Sequence, residues 1–241
     1  MLHKTRGIVF HVTDYSESSV VAKIYTELFG LQSYLINGVR KKNPKVTPAS
    51  LQPLALIDLV VYHKARSGLQ RLADVKINPV LKSISSDIRK SSVILFMNEV
   101  LYKSVKEEEA NQLLFDFIFN AVHLLDLQSK PGNDFHLRFL IQLTKHLGFY
   151  PRENFSESNT IFNLQEGLFQ SIVPHHPFYI EHPLSESFYT LLKSSLFGSD
   201  DLKIPLITKR QIIEKLLDYF RLHVSGFENF KSHKVLEVVW S

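Results

Sequence analysis

Cysteine is absent from all 241 residues. That absence excludes disulfide frameworks, thiol nucleophiles and thiolate metal sites. Glycine is scarce as well, at nine residues. None of the nine falls in a GxGxxG or GxxxxGK(S/T) arrangement, so the phosphate cradle that nucleotide hydrolysis requires is missing. Long apolar runs are lacking too. Stretches free of Asp, Glu, Lys and Arg, such as Gly167 to Ile180, fall short of the roughly 18 residues a spanning helix needs, and that one carries prolines and histidines. At the N-terminus MLHKTRG leads only into Ile8, Val9, Phe10, His11 and Val12, too brief for the apolar region of a secretory signal. The expectation is a cytoplasmic protein with no membrane span.

What the chain does hold is 44% hydrophobic and 22% charged residues, enough apolar material to bury a core. The formal charge of +4 is unevenly spread. Residues 1–80 carry 11 Lys and Arg against 5 Asp and Glu, leaving 17 against 19 in the remaining 161. A concentrated positive field attracts polyanions, of which nucleic acids are the commonest in a cytoplasm.

The hydrophobic period changes near residue 80. Before it, β-branched and aromatic runs alternate with turn residues: Ile8 to Val12, Val20 to Thr26, Gln32 to Val39, Leu54 to Tyr62 and Leu72 to Ile77. Asp14-Tyr15-Ser16, Gly30, Asn43-Pro44, Thr47-Pro48 and Ser67-Gly68 punctuate them. Five short strands predict an OB-type barrel, because closure removes exposed edges; an SH3-like barrel fits the same pattern. After Pro79 the period is helical. Ser85 to Asp87 offer an N-cap to a helix reaching about Val105, with apolar positions Ile88, Leu95, Val100 and Leu101 among its residues. Glu107 to Glu109 mark the start of a second, carrying Leu113, Leu114, Phe117, Ile118, Ala121, Val122 and Leu125. Asp134 opens a third that Gly148 and Pro151 stop. Further helices are expected at about 185–197, at 208–224 from Thr208, and from Lys231 to Val239. The predicted class is α+β, with an OB-fold domain at 1–80 and a helical domain at 81–241 that contains an irregular insertion at about 153–183.

Catalytic constellations are not found. Asp200-Asp201 and Glu107 to Glu109 read as loop and helix-end acids. His175, His176 and His182 match no common zinc spacing. Ser16, Ser18 and Ser19 read as turn residues. No enzyme, cofactor or metal is expected. The strongest local signal is Gly38-Val39-Arg40-Lys41-Lys42-Asn43-Pro44-Lys45, a cationic loop beside the usual OB groove and suited to phosphates, with Arg6 as a neighbour. Tyr25, Tyr34 and Tyr62 are candidates to stack on bases, against the alternative of core positions.

The string GIVFHVTDYSESSVVAKIYTELFGLQSYLINGVRKK resembles the start of the RecO family of bacterial recombination mediators. Leu51 to Leu54, Phe135 to Pro151 and LLDYFRLHVSGFENFKSHKVL of Leu216 to Leu236 agree in the same order. The resemblance implies an N-terminal OB-fold, a helical C-terminal domain and binding of single- and double-stranded DNA. It also implies strand annealing, and work with RecR and single-strand-binding protein to load RecA on gaps, in a nucleoid-associated setting. Arg138, Arg221, His223, Lys231 and Lys234 match the shared stretches. They are expected either to hold a partner such as the acidic tail of single-strand-binding protein or to serve the helical fold. Many members carry a four-cysteine zinc module after the Leu-Gly-Phe-x-Pro helix. Here that interval has no cysteine, and Phe155, Ile161, Phe162, Leu164, Leu168 and Phe169 are expected to form a small apolar core instead. The competing class is a helical protein-protein adaptor whose barrel has no direct DNA role.

Overall fold

Strands β1 (Leu2–Asp14), β2 (Val20–Thr26), β3 (Gly30–Ile36), β4 (Leu56–Tyr62) and β5 (Gln70–Ile77) close into a barrel in the order β1-β2-β3-β5-β4, with β4 returning to β1. This computed structural model describes residues 2–42, 44–64, 67–129, 132, 134–198 and 202–239. Asn43 and the pair Asp200-Asp201 lie outside the described residues. All neighbours are antiparallel except β3 and β5, the strand order of the OB-fold. Closure follows from alternation: Val20, Ala22, Ile24, Tyr34, Ile36, Ile57, Leu59 and Val61 fill the interior while their neighbours in sequence face outward. Strand β1 is longer than its apolar run predicts, because it pairs with β4 through Leu2 to Ile8 and with β2 through Gly7 to Asp14, with an irregularity between Val9 and His11.

Helices α1 (Ile88–Ser104) and α2 (Gln112–Leu127) belong with the barrel in one compact unit, residues 1–127. The change of element type therefore falls near residue 80, while the break in compactness falls after Leu127. Asp87 caps α1 by accepting from the backbone N–H of Arg89 at 2.8 Å and of Lys90 at 3.4 Å. Leu113, expected on the packed face, is 76% exposed, and of the apolar positions of α1 Ile88, first in its helix, and Leu95 are on the surface. The inward faces are Val93, Phe96, Met97, Val100 and Leu101 on α1 and Leu114, Phe117, Ile118, Ala121, Val122 and Leu125 on α2. Glu107 to Glu109 precede α2 rather than open it. Asn111 supplies the cap, accepting from Leu114 N–H at 3.1 Å, and the acidic segment lies across β3, where the Glu107 carbonyl accepts from Leu31 N–H at 2.8 Å. A Cβ at Gly30 would stand 2.3 Å from the Glu109 carbonyl oxygen, and its φ of +62° also favours glycine.

Two polar fastenings hold these helices. Arg6 donates from Nε and Nη2 to Glu27 at 2.9 and 2.7 Å and from Nη2 to Asp116 at 3.1 Å, with its guanidinium over the rings of Phe115 and Phe119. Asp126 accepts from the N–H groups of Lys82, Ser83 and Ile84 at 2.9, 2.7 and 3.1 Å. Lys90 Nζ donates to the Asp126 carbonyl at 2.9 Å.

The second unit, residues 128–241, holds α3 (Phe135–His146), α4 (Leu184–Leu192), α5 (Leu206–His223) and α6 (His233–Val239). It also holds a small antiparallel sheet of β6 (Ile161–Asn163), β7 (Leu168–Gln170) and β8 (Tyr179–Ile180) in the order β7-β6-β8. Gly148, φ +86°, ends α3 as its position predicts, with Phe149 N–H returning to the Thr144 carbonyl at 3.0 Å. Helix α5 starts two residues before Thr208, directly after Pro205. In the insertion Phe162, Leu164 and Phe169 are buried, and Phe155, Ile161 and Leu168 are half-buried. Their core is completed by Phe188 of α4 and Tyr219 of α5, with ring centroids 4.7 and 5.8 Å from Phe162. Among the described residues no helix is long and apolar enough to cross a membrane.

The Asp126 carboxyl is pushed up by burial but pulled down further by the three backbone N–H bonds and the Ser83 hydroxyl, leaving it below its ordinary value. A depressed folded-state pKa contributes stability above the unfolded value of about 3.9 and loses it as pH falls through the folded one. Asp126→Asn should therefore destabilise by roughly 1.5–3 kcal/mol at neutral pH, and urea unfolding should show the gap to wild type narrowing as the pH drops below that of free carboxylates.

Candidate nucleic-acid interface

The cationic loop leaves β3 at Ile36 and returns through the short 3-10 turn Pro48–Leu51. Val39 and Val46 are both buried, and they pin the two ends of the stretch to the barrel core. With the apolar anchors inside, Arg40, Lys41, Lys42 and Lys45 all stand exposed. The Ser16–Ser19 turn lies against this loop. Val39 N–H donates to the Ser18 carbonyl at 2.9 Å, Ser19 Oγ to Asn37 Oδ1 at 3.0 Å, and Arg40 Nη2 to Asp14 Oδ1 at 2.5 Å. The ion pair holds the Asp14 carboxyl below its usual range. Lys41, Lys42 and Lys45 form no ion pair among the described residues.

Outward residues continue the interface across the barrel. Cross-strand pairing sets Thr13, Val21, Leu35, Arg71 and Tyr62 on one rung, and His11, Lys23 and Ser33 on the next. Tyr102 of α1 roofs the second rung. His11 stacks on it at 4.6 Å, and the ammonium groups of Lys23 and Lys106 sit 5.4 and 5.2 Å from its ring centre. Burial, then the charges of Lys23 and Lys103, lowers the Lys106 ammonium, and burial, then Lys23, lowers His11. Crowded cations of this kind hold an anion well. Lys23, Arg71, Tyr102 and Lys106 were not singled out from the sequence; Lys23 and Arg71 had a signal in the strand alternation that places them outward.

The expected stacking residues divide. Tyr34 is inside the barrel, and Tyr25, although outward on β2, lies under Phe115 and stacks on Phe10 at 5.5 Å. Both are fully buried, so neither meets a base; burial pushes the Tyr34 hydroxyl up to about 12. Tyr62 is 51% exposed. Arg6 does not join the loop cations as a free charge, since Glu27 and Asp116 neutralise it.

The profile described as "Recombination protein O N terminal" matches residues 1–79, and "Recombination protein O C terminal" matches residues 85–233. The chain belongs to the RecO family. It is 36% identical over 245 residues to the DNA repair protein RecO of Flavobacterium psychrophilum, covering 99% of each chain. It is 30% identical over 240 residues to that of Azobacteroides pseudotrichonymphae, covering all of both, and 32% identical over 243 residues to that of Bacteroides fragilis, covering 98% of each.

A RecO-type four-thiolate zinc module does not fit this chain. The insertion has no cysteine, and its centre is aromatic, with Phe162 4.9 Å from Phe169 and Phe155 5.0 Å from Tyr189. Of its histidines, His182 reaches Glu186 at 3.3 Å on the surface and His176 Nδ1 accepts from Phe178 N–H. Among the described residues no three His, Cys, Asp or Glu side chains are grouped to hold a metal.

The C-terminal cations also divide. Arg138 is buried, donating to Asp134 at 2.9 and 3.2 Å and to the Ser195 carbonyl at 2.9 Å. His223 stacks on Phe149 at 5.1 Å and donates from Nε2 to the Leu164 carbonyl at 2.8 Å, a bond that fixes its tautomer because a carbonyl only accepts. Arg221 pairs with Asp218 at 2.6 Å. Lys231, just before α6, and Lys234, within it, are exposed. Arg138 and His223 thus serve the helical fold.

The wall between β4 and β5 depends on Gln70. Buried at the first residue of β5, it accepts from Lys64 N–H at 2.9 Å and donates to the carbonyls of Lys64 and Ser67 at 2.9 and 2.7 Å. Gln70→Ala should cost roughly 1–3 kcal/mol, and hydrogen exchange should show lost protection at Lys64 and Ser67 with the rest of the barrel unchanged. Strong zinc chelators should leave the unfolding temperature of the wild-type chain where it is, because the apolar core and the His223 bond, not thiolates, hold the insertion.

Proposed function

We propose that this chain binds single- and double-stranded DNA through the exposed loop Arg40 to Lys45 and the adjoining barrel face. On this reading it anneals complementary strands and acts in the nucleoid with RecR and single-strand-binding protein to load RecA on gaps. It is a binding protein rather than an enzyme. The observation that carries the reading is that Lys41, Lys42 and Lys45 stand exposed, without ion pairs among the described residues, on a loop whose apolar ends Val39 and Val46 are buried in the barrel core. Such a loop holds phosphates without reading bases, which suits a protein that must act on any sequence. Membership of a DNA repair family supports the same conclusion. Residues 1–80 are assigned the DNA contacts and residues 81–241 the protein partners. The acidic tail of single-strand-binding protein is assigned to Lys231 and Lys234, which are exposed at the C-terminal helix.

One observation favours the adaptor reading. The outer barrel surface is closed at Tyr25 by Phe115 of α2 and at Leu31 by the segment leading into α2, which leaves less groove for a strand. Salt dependence separates the two, because phosphate contacts give a steep negative slope and an adaptor gives none. An Arg40, Lys41, Lys42 to Ala triple variant should bind oligonucleotides more weakly. Its log–log salt slope should be shallower by roughly 0.7–0.9 for each phosphate no longer neutralised, measured by fluorescence anisotropy over a salt series. Unchanged affinity and slope would exclude the loop.

A further inference from the structure

A second cleft opens on the barrel, lined by Tyr62, Lys64, Ser67, Leu69, Gln70 and Arg71, with a volume of about 630 Å³. That is within the roughly 300–1,000 Å³ of small-ligand sites. Its chemistry is one-sided. Among the described residues Lys64 and Arg71 are exposed and form no ion pair, and no carboxylate lines the cleft. The neighbouring cleft along β1, β4 and β5 sets Glu27, Asp58 and Asp74 beside Lys4, Arg6 and Lys76, so it offers phosphate no net positive charge. Tyr62 faces outward opposite Arg71, and no other ring among the described residues stacks on it. A half-exposed aromatic face flanked by two unneutralised cations is the combination that takes a base and its phosphates.

Gln70 holds two of the cleft's lining residues in place, Lys64 and Ser67, through its three hydrogen bonds. Ser67 Oγ donates to the Leu69 carbonyl at 2.8 Å, so that proton is not directed at a ligand. Arg71 and Tyr62 are the far end of the rung that runs through Leu35 and Val21, so a strand entering the cleft can continue over the barrel face toward Lys23 and the cationic loop.

We infer that this cleft holds one unpaired nucleotide of a single strand, with its base stacked on Tyr62 and the phosphates on either side held by Lys64 and Arg71. The inference rests on the DNA-binding reading above and adds a preference to it. A base in a duplex is stacked on both faces and offers none to Tyr62, whereas the loop cations meet phosphates of either form. Tyr62 is therefore a residue that separates single from double strands, and the loop is not.

The test uses the full chain, a labelled oligodeoxythymidylate and a duplex of equal length, titrated at several salt concentrations. Tyr62→Leu should weaken the single strand by roughly 5- to 100-fold, leave the duplex nearly unchanged and keep the salt slope. Tyr62→Phe retains the ring and should bind both like wild type. Equal single-strand affinity in wild type and Tyr62→Leu overturns the inference. So does an equal loss on the duplex, or a Tyr62→Phe variant as weak as Tyr62→Leu. In those cases the DNA-binding reading stands as long as wild type binds both probes with a steep slope. A wild-type chain that binds neither overturns both.

Discussion

Strand β1 is shared between two partners, and the rest of the first unit depends on that sharing. By pairing with β4 along its first half and β2 along its second, it turns what would be an open sheet into a closed one with no free edge. Closure fixes which residues face out, and so sets Arg71 beside Tyr62 and Lys23 beside Ser33. It also places Arg6, on the same strand, where it can reach Glu27 and Asp116 together and fasten α2 to the barrel.

Local signals were the legible part of the fold. The span of β2, the Asp87 cap of α1 and the Gly148 stop of α3 each rest on residues within a few positions of one another. What the sequence concealed depends on contacts between distant segments. Tyr25 has the alternation of an exposed strand residue, and it is covered by Phe115, ninety positions away, together with Phe10. The glutamates at 107–109 have the composition of a helix start, but their backbone is used by β3, and Asn111 is left to cap.

The site was legible in the same measure. Four cations within the six residues 40–45 announce themselves, and the structure sets all four on the surface. Isolated cations do not declare their partners: Arg6 and Arg138 look alike in the sequence to Arg71, yet the first two are absorbed by carboxylates and only the third is left outward without one. Charge counting by segment therefore finds the basic third of the chain but does not tell an arginine held by carboxylates, such as Arg6, from one that is not.

The aromatic core of the insertion changes what the segment responds to. A thiolate site is bound to the supply of metal and to the redox state of its sulfurs, and an oxidant opens it. Phe155, Phe162, Phe169 and Phe188 carry no such chemistry, so peroxide has no handle on this part of the fold. Their cohesion is apolar and carries the heat-capacity signature of buried hydrocarbon: it slackens in the cold. The segment is thus indifferent to oxidative stress and sensitive to temperature, the reverse of a zinc-held one.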